Sequence, residues 1–280
     1  MTKLRLRMLE DMKLNGLTKG TQKVYMNAVI MMARHIGKSP ELLTEEELRK
    51  YFIYLAEEKG LAQSTLNTHV FAIKFLICKT LNRKWPLMKL IRVRKAKKLP
   101  EVLSISEVKE LFSFVQKPII RMCLLLMYSC GVRVSEVTAL HVKDIDGKRM
   151  VLCVRNGKGR KDRYVPLPKR TLTELREYWK IYCPPTCLFP SKLKGVSINK
   201  TTIHKALKSA CEKSAITKNV SCHTLRHSYA TQLMTDGVDI RIIQILLGHK
   251  SIRTTMIYLH MTEGAKQQVY AVINNIMDKF

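Results

Sequence analysis

The 280-residue sequence predicts a mainly α-helical protein with one small antiparallel sheet, an α+β chain built as two units. Three observations carry this reading. Apolar residues recur at helical spacing through most of the chain, an Asn-Gly turn between two apolar runs marks a hairpin near residue 157, and a proline-terminated run of like charge near residue 90 separates a shorter unit from a longer one. At about 150 residues per domain the length fits two. An apolar fraction of 46% is enough for two cores.

Residues 1–88 read as a helical unit built from three strong helical patterns. The first covers Thr21 to His35. The second opens on Thr44-Glu45-Glu46-Glu47, where Thr44 caps the backbone and Glu47 reaches back to it; Leu48, Phe52 and Leu55 form its apolar stripe and Gly60 ends it. The third starts near Ser64 and presents Leu66, Val70, Ile73 and Ile77 on one face, with Asn82 marking its end. Residues 89–100 follow as a linker with six positive charges, Lys89, Arg92, Arg94, Lys95, Lys97 and Lys98, no negative one, and Pro100 at its end. Such a run repels itself, stays extended and suits a polyanion's backbone.

Residues 101–280 form the second unit. Helices near Ser106 to Phe114 and Ile119 to Cys130 precede two strands, Met150 to Val154 and Arg163 to Val165, joined through Asn156-Gly157-Lys158-Gly159. From Leu172 the chain returns to helices. Val269, Val272, Ile273 and Ile276 give the end segment 265–280 an apolar face suited to docking on a neighbouring protomer.

Composition narrows the partners. Fifty Lys and Arg against 22 Asp and Glu leave a net charge of +28, which favours a polyanion, nucleic acid first, over an acidic small substrate. Both units share the excess: 21 basic against 8 acidic residues in 1–100, and 29 against 14 in 101–280. No apolar run approaches the roughly 18 residues of a spanning helix, and the first residues lack a secretory core, so a cytoplasmic chain with reduced cysteines is expected. Of eight cysteines, only Cys183 and Cys187 are close, and no matching His or Cys pair follows them, so no metal site is expected.

The chemistry concentrates in four places. In His223-Thr-Leu-Arg226-His-Ser-Tyr-Ala-Thr-Gln-Leu233, Leu225, Tyr229 and Leu233 form the buried stripe while His223 and Arg226, three apart, share a neighbouring face. Asp236-Gly237 stops that helix, Asp239 caps the next, and Gly248 closes it with His249 immediately outside. Ser251 is expected to cap a further helix carrying Tyr258 about two turns in. Upstream, Gly131-Val-Arg133-Val-Ser-Glu136 sets an arginine in a tight turn between two helices, with Ser135 as the expected cap. The hairpin tip adds Lys158, Arg160, Lys161 and Arg163, a cationic loop able to enter a groove.

In order and spacing these residues resemble the tyrosine recombinases of the phage-integrase family, similar to their Xer-like and integron-type members, over nearly the whole chain. The resemblance implies a helical SAM-like core-binding domain at 1–88 and a catalytic domain with a three-stranded sheet at 101–280. It assigns six catalytic positions to Arg133, Lys158, His223, Arg226, His249 and Tyr258, with Glu136 in support and Lys161 as the alternative to Lys158. It also implies double-stranded DNA as partner, four protomers on two duplexes, and strand exchange through a Holliday junction; a second recombinase as co-partner stays open. No cofactor is implied. Arg92, Arg94, Lys95, Lys97, Lys98, Arg160, Lys161 and Arg163 are the expected DNA contacts.

These residue types suit the chemistry. A phosphodiester's anionic oxygens repel a nucleophile, so fixed positive charge must sit at them, and arginine forks donate bidentate bonds and stay charged. Tyr258, as nucleophile, must lose a proton with an ordinary pKa near 10, for which His223 is the candidate base; Lys158 is the candidate acid for the leaving 5′ oxygen. Two other readings remain at this stage, type IB topoisomerase-like breakage and rejoining, and a DNA-binding regulator on the same scaffold. A regulator would not need Tyr258 and the cationic cage together. A metal-dependent nuclease would need a carboxylate cluster, and acids are scarce after Glu136.

Overall fold

A computed structural model describes residues 2–85, 100–155, 162–191, 193 and 195–261. Residues 89–99 of the expected linker, the hairpin tip from Asn156 to Lys161 and the end segment 265–280 lie outside the described residues. The chain divides into two compact units, residues 1–98 and 99–280. Among the described residues no helix is long and apolar enough to cross a membrane.

The first unit holds α1 (Lys3–Leu14), α2 (Lys19–Ile36), α3 (Glu45–Glu57) and α4 (Gln63–Phe75), the last running on through a π turn at Leu76–Thr80. The capping box forms at Thr44: its hydroxyl accepts from the Glu47 N–H while the Glu47 carboxylate accepts from the Thr44 N–H. Helix α1 is a correction to the expected three patterns. It alternates charged with apolar residues, yet Met8 and Met12, one turn apart, are fully buried in the same apolar core as Met32, Leu55 and Ile73.

The second unit begins with α5 (Ile105–Ser113) and α6 (Pro118–Ser129), followed by the short α7 (Val134–Val137). Ser135 does not cap α7; Arg133 occupies the cap position, and its N–H is taken by the Glu136 carboxylate at 2.8 Å. Strands β1 (Ile145–Asp146), β2 (Val151–Val154) and β3 (Arg163–Pro166) form an antiparallel sheet in sequential order, with Val154 opposite Arg163 at the base of the hairpin. Helices α8 (Lys169–Tyr182), α9 (Lys200–Lys213), α10 (Cys222–Thr235) and α11 (Ile240–Leu247) complete the scaffold. The core runs from α6 through the sheet to α8, α9 and the start of α10.

Past α11 the chain departs from expectation. Ser251 caps a 3-10 turn at Ile252–Thr254, and Tyr258 sits in a second, Met256–Met261, where a longer helix was expected. Tyr258, Ala230, Ile243 and Leu247 form a small separate core, which explains how a tyrosine without an apolar stripe of its own is 1% exposed.

Candidate active site

The site is organised around one carboxylate. Glu136 points inward from α7 and is 7% exposed. Its Oε1 accepts from Arg133 at 2.7 Å and from Arg163 at 2.9 Å, and its Oε2 accepts from Arg163 at 2.8 Å. Arg226, 3% exposed on α10, stands 3.9 Å from the same carboxylate and donates instead to the backbone carbonyls of Gly131 and Leu247. Burial alone would raise the Glu136 pKa, but the Arg163 fork, the Arg133 N–H and both charges hold it near 2.

Three guanidinium groups therefore share one anion, leaving positive charge in excess. Burial, then the neighbouring Arg133, pulls the Arg226 pKa down to about 9, with Glu136 opposing, so Arg226 stays cationic at neutral pH. Its two bonds to backbone carbonyls fix its direction without neutralising it.

Backbone turns aim these groups. Gly131 has φ 61°, and a side chain there would overlap the Tyr229 ring, so only glycine fits between α6 and α7. Gly248 closes α11 in the left-handed conformation, and its carbonyl accepts from Arg133 at 3.4 Å. His249 follows directly, with Nδ1 3.0 Å from the buried Thr255 hydroxyl.

The histidines are kept neutral. Burial and then Arg226 and Arg133 push His249 down to about 3. His223, exposed at the start of α10, is lowered in the same direction by desolvation, Arg226 and Arg133. Tyr258 is raised to about 12 by burial, while Arg226 and Arg133 pull against the rise.

Five of the six expected catalytic positions, Arg133, His223, Arg226, His249 and Tyr258, thus lie within reach of one another's charge, with Glu136 at their base. Lys158 lies outside the described residues, as do Arg160, Lys161 and the linker cations Arg92, Arg94, Lys95, Lys97 and Lys98. Arg163 is a correction: expected on a groove-entering tip, it stands at the base of the hairpin and turns inward, where Glu136 and the Leu246 carbonyl take its donors. The Tyr258 hydroxyl makes no bond to His223, the expected base, among the described residues; it lies 2.9 Å from His227 Nδ1. His227 was missed, although its place one turn after His223 puts both rings on one helix face.

Surplus guanidinium charge beside a shielded tyrosine hydroxyl, on a mainly helical scaffold with a small sheet, is the equipment of an enzyme that attacks a phosphodiester through tyrosine. Residues 101–264 match the phage integrase family and residues 4–87 match the phage integrase N-terminal SAM-like domain. A putative integrase/recombinase of Sinorhizobium fredii is 41% identical over 262 residues, 93% of this chain and 85% of that protein. The tyrosine recombinase XerA of Pyrococcus furiosus is 34% identical over 269 residues, 92% and 91%. The crystal structure of XerA recombinase has a TM-score of 0.56 at 28% identity, covering 96% of this chain and 97% of that one. The chain belongs to the phage integrase family: it is a tyrosine recombinase, an enzyme of site-specific DNA recombination.

Proposed function

We propose that this recombinase breaks and rejoins double-stranded DNA through a covalent 3′-phosphotyrosine at Tyr258, and that four copies exchange strands between two sites by way of a Holliday junction. The observation that carries this reading is the buried Arg133–Glu136–Arg163–Arg226 cluster, whose excess positive charge stands beside the Tyr258 hydroxyl.

Arg133 and Arg226 donate to the nonbridging oxygens of the scissile phosphate, where charge builds as the phosphorus is attacked. Glu136 and Arg163 brace them. His223 and His249, neutral before DNA arrives, donate ring N–H groups to the same oxygens. Tyr258 attacks phosphorus, and the 5′ oxygen leaves with a proton from Lys158, or from Lys161 if that residue takes its place on the hairpin. The phosphotyrosine keeps the energy of the broken bond, so a 5′ hydroxyl of the partner strand rejoins it without ATP.

Arg160, Lys161 and the linker cations Arg92, Arg94, Lys95, Lys97 and Lys98 lie along the DNA backbone, supplying affinity that falls with salt. Residues 265–280 dock on the next copy and hold the assembly together.

The test is an SDS-quenched incubation in EDTA with DNA flanking the chain's own gene, comparing the wild type with Tyr258→Phe. A covalent protein–DNA band in the wild type alone is the expected result. A band of equal strength in Tyr258→Phe would remove Tyr258 as the nucleophile.

A further inference from the structure

Tyr258 places its hydroxyl 2.9 Å from His227 Nδ1, with the two ring centroids 5.6 Å apart. We propose that His227, a residue outside the six motif positions, is the base that takes the Tyr258 proton during cleavage and returns it during rejoining. The proposal rests on the tyrosine reading above.

Geometry carries the argument. The phenol is a ready donor, and a neutral imidazole whose proton is on Nε2 offers Nδ1 as acceptor. His227 is fixed in mid-helix on α10, in the turn that also carries Arg226, so base and phosphate-binding group share one rigid element. His223 lies on the same face one turn earlier, 6.4 Å away between ring centroids, and its exposed ring is free to meet the phosphate.

The surroundings keep His227 unprotonated. Burial, then His223 and Arg226, lower its pKa to about 4, so its Nδ1 lone pair is available at neutral pH. The groups facing it are His223 and Arg226 from α10, Tyr258 from the last 3-10 turn, and His249 after α11, whose own pKa His227 helps depress. So weak a base does not deprotonate a phenol beforehand. The proton must move as the new bond forms, and the scissile phosphate's negative charge favours the imidazolium at that moment.

The step balances. Oη bonds to phosphorus, its proton passes to Nδ1, and the P–O5′ bond breaks with its electron pair on the 5′ oxygen, which is protonated by the hairpin acid. In rejoining, the 5′ hydroxyl attacks phosphorus, its proton passes back to that acid's conjugate base, and Tyr258 departs as a phenol carrying the His227 proton.

The experiment follows single-turnover adduct formation from pH 5.5 to 9.5 on the gene-flanking duplex, for the wild type, His227→Gln, His227→Ala and His223→Gln, with DNA affinity and thermal unfolding measured alongside. In His227→Gln, cleavage should fall roughly 100-fold, affinity should stay within about twofold, and the rate should climb with pH up to about 8.5, below the value near 9 at which Arg226 begins to lose its charge, because the phenol must ionise unaided. Added imidazole should restore part of the His227→Ala rate. Three results would overturn the proposal: His227→Gln within about threefold of wild type, an unchanged pH profile despite slower cleavage, or the altered profile in His223→Gln instead. An adduct that forms equally in a Tyr258→Phe control would sink the tyrosine reading itself and this proposal with it, an outcome recognisable because it does not depend on any His227 variant.

Discussion

Two sides of the site are built on opposite principles. On one, the guanidinium groups of Arg133, Arg163 and Arg226 are locked by Glu136 and backbone carbonyls, and Arg226, held down to about 9 by burial, is still a cation at neutral pH. On the other, His223, His227, His249 and Tyr258 are neutral, and the bonds seen there, His227 to Tyr258 and His249 to Thr255, are single contacts between neutral groups. The first side rests on helices and a strand; the second ends in 3-10 turns. The contrast separates two tasks. Stabilising charge in a transition state demands groups that do not reorganise, whereas moving protons and swinging a nucleophile toward phosphorus demand groups that change state.

Breaking the charged side should have the larger effects. Arg226→Ala should lower cleavage by about 10²–10³ in single-turnover assays while leaving most DNA affinity, which many phosphates share; a proportional loss of affinity would make Arg226 a binding residue. Glu136→Gln should leave three guanidinium groups facing a neutral amide. Removing one partner of a buried ion pair costs about 3–5 kcal/mol, so unfolding of the catalytic domain should drop by roughly 10 °C. An unchanged melting temperature would mean that the cluster does not depend on its anion. Gly131→Ala, forced against Tyr229 at a positive φ, should cost about 1–3 kcal/mol and reduce cleavage by tilting Arg133.

The neutral side should reveal itself in acid. His227 and His249 titrate near 4 and 3 when folded, against an ordinary 6.5. Between these values the unfolded chain binds protons that the folded one refuses, so their stabilising effect is complete above about pH 6.5 and is lost as pH falls toward 4. Melting temperature should therefore decline over that window by on the order of 10 °C, and less in a His249→Asn variant. Glu136 contributes only lower, between its ordinary 4.5 and about 2. A flat profile from pH 7 to 4 would contradict the depressed histidines.

What could be read in the sequence follows the same divide. Thr44 and Glu47, Gly248 before His249, and the residues of α10 signal through neighbours three or four positions away, so capping and periodicity reveal them. Arg163 does not. Its partner Glu136 is 27 residues distant and meets it only once β3 packs beside α11, so the residue resembled its solvated hairpin neighbours. Tyr258 is buried by Ala230, Ile243 and Leu247 from two other helices, contacts to which a 3-10 turn gives no helical stripe. Helix α1 went unread because charged residues interrupt its apolar face, leaving Met8 and Met12 as the signal. His227 was legible by spacing, yet the His223–Arg226 pattern on the same helix claimed the chemistry.

The central claim is that one tyrosine carries the DNA. The most direct measurement is to trap the wild-type adduct on gene-flanking DNA, digest it with nuclease and protease, and locate the residual nucleotide by peptide mass spectrometry. The account predicts the added mass on the peptide holding Tyr258. The same mass on a peptide holding Tyr229, Tyr270 or a serine instead would contradict it.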